Sequence, residues 1–197
     1  MNLPNRISLL RLVLIPIIVL LWELPYTQLG IAMPTIVVGM LTISMKNLLV
    51  LILFVIASIT DFFDGHIARS RNQVTSFGSF IDPIADKCLT TTLFILFAAQ
   101  RIIPAVPVLI MIWRDIVVDG IRMVASNNGK VVSAGGLGKL KTVAQMIAII
   151  LILLDNFPFA MIDLPVATFM LWFAMCVSVA SGVYYFKQSR DEIIKTK

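Results

Sequence analysis

Charged residues are scarce in this sequence of 197 residues. Asp, Glu, Lys and Arg make up 14% of the chain, and hydrophobic residues make up 59%. A typical soluble domain carries about 25% charged residues. The composition therefore excludes an ordinary soluble domain and indicates a protein that crosses a membrane several times. One compact helical domain over residues 1–197 accounts for the length, and no second domain is needed.

Cysteines are few, and repeats and a processing site are lacking. The two cysteines, Cys88 and Cys176, lie in apolar stretches, and we interpret them as small core residues rather than a disulfide or metal pair. No internal repeat or low-complexity segment is present. No small-residue cleavage site follows a short apolar core near the start, so we expect no cleaved signal peptide. The net charge of +5 favours contact with anionic membrane lipids and not with nucleic acid.

Six apolar stretches are predicted to cross the membrane, and the first has about the length that a bilayer core of about 30 Å needs at about 1.5 Å per residue. They cover residues 6–24, 47–65, 82–100, 105–125, 139–154 and 165–186. Between the first two, Pro34 and Gly39 interrupt the apolar pattern, and we predict an outer loop with an interfacial or re-entrant segment over residues 25–46. Residues 187–197 are expected to form a basic, polar tail.

The distribution of Lys and Arg predicts the orientation. One side of the membrane collects Arg6, Arg69, Arg71, Lys130, Lys139, Lys141, Lys187, Arg190, Lys195 and Lys197. The other side collects only Lys46 and Arg101. The sequence therefore predicts an all-α membrane protein with six transmembrane helices in one bundle. The protein would lie in the inner or plasma membrane, with its N- and C-termini in the cytoplasm.

The stretch from residue 61 to residue 86 concentrates four carboxylates in this apolar chain. Asp61 and Asp64 are three residues apart, and Asp82 and Asp86 are four apart, so each pair lies on one face of a helix. Such acids repel one another and lose solvation unless a cation neutralises them. We predict one or two Mg²⁺ or Mn²⁺ ions, which prefer oxygen ligands. The alternative is that the carboxylates cap helices at the water boundary.

Other residues of this stretch suit a phosphate-bearing ligand. Gly65 allows a close approach of backbone or ligand, Ala68 keeps the helix face small, and Arg69 can bind phosphate in a bidentate way. Asp86 can accept the proton of an attacking hydroxyl while it contacts the metal.

The full pattern resembles the signature of the CDP-alcohol phosphotransferase family. It reads Asp61-x-x-Asp64-Gly65-x-x-Ala68-Arg69, then eight residues, then Gly78-x-x-x-Asp82-x-x-x-Asp86. The resemblance implies that the first three aspartates bind metal and that Asp86 is the general base and also a metal ligand. It implies a donor site for the CDP group formed by Pro4, Asn5, Asp61, Gly65, Ala68, Arg69, Thr75 and Gly78. It further implies attack of a hydroxyl on the lipid-side phosphorus, departure of CMP, and a homodimer.

A second polar group lies in the fourth predicted helix, where Asp115, Asp119 and Arg122 share one helical face with Arg114 at its flank. They form either an intrahelical ion-pair set or part of a polar cavity inside the bundle. We predict that four cations bind the phosphate of the acceptor: Arg114, Arg122, Lys139 and Lys141.

Three segments narrow the resemblance to bacterial family members that transfer a phosphatidyl group from CDP-diacylglycerol to glycerol 3-phosphate. They are residues 2–8, 114–122 and 138–142. Two carboxylates depart from that pattern: Asp115 replaces the usual Glu, and Asp119 replaces a small residue and would pair with Arg122 or face lipid. Other acceptors therefore stay open, namely phosphatidylglycerol, serine or an inositol phosphate. A divalent-cation transporter is the more distant alternative.

Overall fold

The computed structural model of the chain describes residues 3–38, 41–70, 76–127 and 135–194, and side chains within residues 9–37, 42–60, 84–85, 87–125 and 135–190. The helices are α1 (Leu3–Glu23), α2 (Met45–Ser70), α3 (Ser76–Ala99), α4 (Ala105–Asn127), α5 (Gly136–Leu153) and α6 (Val166–Ile194). Strands β1 (Thr35–Val38) and β2 (Leu41–Ser44) form the one sheet of the described residues, and a 3-10 turn covers Phe159–Ile162. The prediction of a mainly helical chain is confirmed.

The chain divides into two compact units. The first contains Met1–Leu96 and Ile150–Leu164, and the second contains Phe97–Ile149 and Pro165–Lys197. Both halves of the aspartate motif belong to the first unit, and the predicted acceptor cations belong to the second. A single domain over residues 1–197 stays a prediction.

In the first unit, α1 packs against α2. Ile18 and Trp22 are four residues apart and form a buried face of α1, and Val50, Phe54 and Ala57 form a buried face of α2. This spacing of apolar residues is the one that a helix needs to bury one side. The packing fixes the first half of α2, whose last turns carry Asp61 and Asp64.

Residues 25–46 contain a β-hairpin where the sequence predicts a loop with an interfacial or re-entrant segment. Strands β1 and β2 pair antiparallel, with Thr35 opposite Ser44 and Ile36 opposite Ile43. Each strand is rich in β-branched residues, which favour a pleated backbone over a helix. Ile43 is buried and Ile36 is exposed. The local preference of these side chains, not their hydropathy, therefore explains the hairpin.

In the second unit, α4 packs against α6. The buried apolar residues of α4 are Val108, Met111, Val118, Ile121 and Ala125, and those of α6 include Leu171, Ala174 and Val177. Continuing along the same side of α6, the buried residues become polar: Ser178, Ser181, Tyr185 and Ser189. The interior of this unit therefore changes from apolar to polar along α6.

Two of the described helices, α5 (Gly136–Leu153) and the part of α6 from Val166 to Arg190, are long and apolar enough to cross a membrane. Met45–Thr60 and Lys87–Ala99 are shorter apolar helical segments. Helix α4 has the length of a span but carries four charged residues, at positions 114, 115, 119 and 122. Six transmembrane helices and the cytoplasmic termini stay predictions.

One expectation is wrong. Cys88 and Cys176 are exposed free thiols, not core residues, because they lie on outward faces of α3 and α6. Helix α6 ends at Ile194 and therefore extends into the predicted basic, polar tail. Residues 187–194 contain no Gly or Pro, so nothing interrupts the helix there.

Candidate functional site

The aspartate motif lies on two consecutive helices. Asp61 and Asp64 belong to the last turns of α2, and Asp82 and Asp86 belong to the first half of α3. Both pairs therefore lie on α-helices, as the prediction that each pair shares one helical face requires. The side chains of all four aspartates lie outside the described residues, so their role as metal ligands stays a prediction.

The roles of the predicted donor-site residues also stay predictions. Pro4 and Asn5 lie in the first turns of α1, Gly65 to Arg69 in α2, and Gly78 in α3. Their side chains lie outside the described residues, and Thr75 lies outside them entirely. Among the side chains that the structure does describe, no group of three His, Cys, Asp or Glu residues is placed to hold a metal ion.

The second unit brings three of the four predicted acceptor cations into one group, which we call the cationic cluster: Arg114, Arg122 and Lys141, with Asp115, Ser181 and Tyr185. Its first part is an ion-pair arrangement around Asp115. Lys141 Nζ donates to both carboxylate oxygens of Asp115 at 2.5 Å, and Arg114 Nη1 donates to Oδ1 at 2.8 Å. Asp115 therefore links α4 to α5 and is a counter-ion inside the cluster.

Helix α6 supplies the second part of the cluster. Arg114 Nη2 donates to Ser181 Oγ, and the Arg114 guanidinium lies 5.7 Å from the centre of the Tyr185 ring. A β-carbon added to Gly182 would come within 3.0 Å of Arg114 Cγ. The absence of a side chain at residue 182 therefore gives the stem of Arg114 room to pass.

Tyr185 is the centre of the third part. Arg122 Nη2 donates to its hydroxyl oxygen at 2.9 Å, and the guanidinium of Arg122 lies 4.9 Å from the ring centre. The backbone N–H of Gly135 donates to the same oxygen at 2.8 Å. Because Gly135 directly precedes α5, this hydroxyl connects Arg122 to the start of that helix.

Each of the two arginines has one buried N–H donor without a hydrogen-bond partner among the described residues. Within the part of the chain that the structure describes, no group accepts a hydrogen bond from Nε of Arg114 or Nε of Arg122, although both atoms are buried. An unsatisfied buried donor on a charged group costs more than about 1–3 kcal/mol. Such donors are typical of a site that is completed by a ligand with acceptor oxygens.

Two charged residues that the sequence analysis singles out, Lys139 and Asp119, have exposed side chains. Lys139 is exposed, although it is only two residues from buried Lys141, because the two side chains leave α5 in different directions. Asp119 is also exposed, on a side of α4 that carries exposed Ile116 and Met123. The alternative that Asp119 faces outward therefore agrees with the structure.

Sequence reasoning missed Ser181 and Tyr185. Each is at most 1% exposed, and both contact arginines of α4 that lie more than 60 residues earlier in the chain. A signal exists in the sequence: residues 178, 181, 182 and 185 are polar or glycine at spacings of three and four within an apolar helix. Such a stripe indicates a polar interior face, but it does not say what the face contacts.

Comparison with known proteins agrees with the family resemblance of the aspartate motif. The family model described as CDP-alcohol phosphatidyltransferase matches residues 1–180. A protein of Bacillus subtilis named CDP-diacylglycerol–glycerol-3-phosphate 3-phosphatidyltransferase is 42% identical over 192 residues, which cover 98% of this chain and 97% of that protein.

Two further relatives carry the same name. The protein of Rickettsia typhi is 36% identical over 187 residues, covering 94% of this chain and 96% of its own. The protein of Escherichia coli is 34% identical over 152 residues, covering 75% of this chain and 74% of its own. The likeness to relatives of this name therefore extends over most of the chain.

Proposed function

The chain belongs to the CDP-alcohol phosphatidyltransferase family, and from that membership we propose that it transfers a phosphatidyl group from CDP-diacylglycerol to sn-glycerol 3-phosphate. The products are CMP and phosphatidylglycerophosphate, a step of phospholipid and phosphatidylglycerol biosynthesis. The names of its relatives support this donor and this acceptor.

The observation that carries the choice of acceptor is the cationic cluster. Asp115 is bound by Arg114 and Lys141, and Arg122 is bound to the Tyr185 hydroxyl. Three cations and one carboxylate therefore give the cluster a net positive formal charge. Burial of like charges is costly unless an anion is present. A phosphate monoester such as glycerol 3-phosphate supplies an anion of up to two charges, whereas phosphatidylglycerol carries one phosphodiester charge and serine is a zwitterion.

Asp61, Asp64, Asp82 and Asp86 would hold one or two Mg²⁺ or Mn²⁺ ions. Four carboxylates on two consecutive helices are a donor set that fits a hard divalent cation and fits no soft one. A bound ion would offset the charge that builds on the pyrophosphate oxygens as the anhydride bond breaks.

Asp86 is the proposed general base. It accepts the proton of the C1 hydroxyl of glycerol 3-phosphate, while that oxygen forms a bond to the phosphorus on the lipid side of the anhydride. The bond between this phosphorus and the bridging oxygen breaks, and CMP leaves with the electron pair. General base catalysis of this kind contributes about 10²–10⁴-fold to a rate.

The donor nucleotide is proposed to bind beside the aspartates. Arg69 can pair with a phosphate oxygen in a bidentate way, and Gly65 and Ala68 leave room for the ligand on the same helix. The remaining residues of this proposed site are Pro4, Asn5, Asp61, Thr75 and Gly78. The diacyl tails would lie toward the lipid, so that the donor enters sideways from the membrane.

In the membrane we propose six spans with both termini and the reaction on the cytoplasmic side, and a homodimer as the assembled form. The charge bias supports the orientation, since Lys46 and Arg101 are the only Lys or Arg of the proposed outer side. The two apolar helices α5 and α6 support insertion. Glycerol 3-phosphate would then reach the site from the cytoplasm.

Incubation of purified protein with CDP-diacylglycerol, Mn²⁺ and separate candidate acceptors tests the proposal. We expect CMP release and phosphatidylglycerophosphate with glycerol 3-phosphate, and no new lipid with phosphatidylglycerol, serine or inositol phosphate. Omission of the divalent cation should stop the reaction. Transport of Mn²⁺ into vesicles without nucleotide turnover would instead support a cation transporter and contradict the proposal.

A further inference from the structure

The hydroxyl of Tyr185 is buried among hydrogen-bond donors. The residue is 1% exposed, and its oxygen accepts two hydrogen bonds, from Arg122 Nη2 at 2.9 Å and from the Gly135 N–H at 2.8 Å. A phenol can accept hydrogen bonds and can donate its one proton. Because two donors already point at the oxygen, the hydroxyl can form a further hydrogen bond by donating its proton.

Within the described part of the chain, no acceptor for that proton is found next to Tyr185. The charged groups beside the ring are the guanidinium groups of Arg122 and Arg114, which only donate. The carboxylate of Asp115 is already bound by Lys141 and Arg114. A buried hydroxyl proton without an acceptor is unfavourable, so a ligand that brings an acceptor oxygen would stabilise the site.

The charge around the hydroxyl selects the kind of acceptor. Two guanidinium groups with unsatisfied buried Nε atoms favour an anionic oxygen over a neutral one. A β-carbon at Gly138 would lie 3.2 Å from the hydroxyl oxygen, and glycine there keeps the surroundings of the oxygen open. A phosphate has several acceptor oxygens and satisfies donors on both arginines and on the tyrosine together.

We propose that the Tyr185 hydroxyl donates a hydrogen bond to a phosphate oxygen of the acceptor and thereby helps to select a phosphorylated alcohol. This rests on the proposed function, because it assigns the acceptor phosphate to the cationic cluster. Tyr185 is then a substrate-binding residue on α6, in addition to the cations of α4 and α5.

Tyr185→Phe tests the proposal because it removes the hydroxyl and keeps the ring beside both guanidinium groups. In detergent with CDP-diacylglycerol and Mn²⁺, we expect the KM for glycerol 3-phosphate to rise about 10- to 100-fold, as for a lost hydrogen bond to a charged group. The KM for CDP-diacylglycerol should stay within about twofold. An unchanged KM for glycerol 3-phosphate overturns the proposal.

Tyr184→Phe is the matched control. Tyr184 is the adjacent tyrosine, is 49% exposed and contacts the Tyr185 ring edge-on with centroids 6.1 Å apart. Its loss of a hydroxyl should leave both KM values unchanged. An equal rise of the KM for glycerol 3-phosphate in both variants would show a general disturbance of α6 and would also overturn the assignment.

Site-specific 3-fluorotyrosine at residue 185 tests whether the hydroxyl donates a hydrogen bond to the phosphate or only accepts hydrogen bonds. It also tests the proposal if Tyr185→Phe does not fold. Fluorine makes the hydroxyl a stronger donor and a weaker acceptor. If the hydroxyl donates to the acceptor phosphate, the KM for glycerol 3-phosphate falls below that of the wild type; an unchanged or higher KM contradicts donation. Wild-type protein that makes no glycerol 3-phosphate-dependent product would instead overturn the proposed function itself.

Discussion

The aspartate motif and the cationic cluster differ in how the chain assembles them. The motif lies within 26 consecutive residues of the sequence, with one pair of aspartates on α2 and one on α3, so helical periodicity relates the members of each pair. The cluster joins residues that are 26, 63 and 67 positions apart, from three helices. The first can be recognised as a pattern, and the second exists only after α4, α5 and α6 have packed.

The difference suggests a division of roles. A motif built on consecutive turns suits the common chemistry, since the donor nucleotide and the cation are shared by the whole proposed reaction class. A cluster built from distant residues can vary without disturbing that chemistry, and it suits the choice of acceptor. The following variants, from the largest expected effect to the smallest, test that division.

Asp86→Asn should affect the chemical step most. Removal of the proposed base should lower kcat for phosphatidylglycerophosphate formation by about 10²–10⁴-fold, with a melting temperature close to that of the wild type. Radiometric or coupled CMP-release assays measure the rate. Asp163→Asn is the control, because Asp163 lies in a turn outside both regions at positive φ, which Asn tolerates. Full CMP release by folded Asp86→Asn protein contradicts the proposed mechanism.

Asp115→Asn should affect folding more than the chemical step. It leaves Lys141 and Arg114 buried without their shared carboxylate, and loss of one partner of a buried pair costs about 3–5 kcal/mol. Thermal unfolding in detergent should show the loss, and added glycerol 3-phosphate should restore part of it, since an anion replaces the missing charge. A melting temperature equal to that of the wild type would show that Asp115 is not the counter-ion of the cluster.

Arg122→Gln should weaken acceptor binding selectively. We expect the KM for glycerol 3-phosphate to rise about 10- to 100-fold, because a charge-assisted contact is worth about 1.5–3 kcal/mol, while the KM for CDP-diacylglycerol changes little. Lys139→Gln removes an exposed cation of the same formal charge and should change either value by less than about threefold. If the two substitutions raise the KM equally, net charge and not the buried cluster determines acceptor binding.

Asp155→Asn should have the smallest effect, because Asp155 lies outside both regions, in the turn after α5. Partial desolvation raises the pKa of the Asp155 carboxyl above its usual value of 3.8. The stability that this group contributes is therefore present below that value and is lost as the pH rises through the raised pKa. The variant should match the wild type in acid and melt slightly higher at neutral pH, without change in either KM. A wild-type advantage at neutral pH would contradict this sign.

Particular residues show which structural features the sequence predicts and which it does not. The helical nature of residues 61–70 and 76–86 and the length of α4 followed from apolar runs and spacing, and family membership followed from the motif. The hairpin at residues 35–44 was missed, because its alternation of β-branched residues is short and lies within an apolar segment. Cys88 and Cys176 were assigned to the core, because hydropathy cannot distinguish a protein interior from lipid.

Among the predicted acceptor residues, Lys139 and Lys141 illustrate the same limit. They are two positions apart and identical in chemistry, yet only Lys141 is buried against Asp115. Helical periodicity predicts that they differ in direction, but it does not say which direction faces α4. That choice depends on the packing of three helices, which no local pattern contains.

By itself, the sequence determined the membrane class, the helical framework, the family and the residues of the aspartate motif. These depend on composition and on spacing within single helices, which are local properties. Only the tertiary structure decided that Asp115 is the counter-ion of Lys141 and Arg114, and that Ser181 and Tyr185 of α6 join the arginines of α4. Such contacts depend on which faces of separate helices meet, and that is settled by packing over the whole unit.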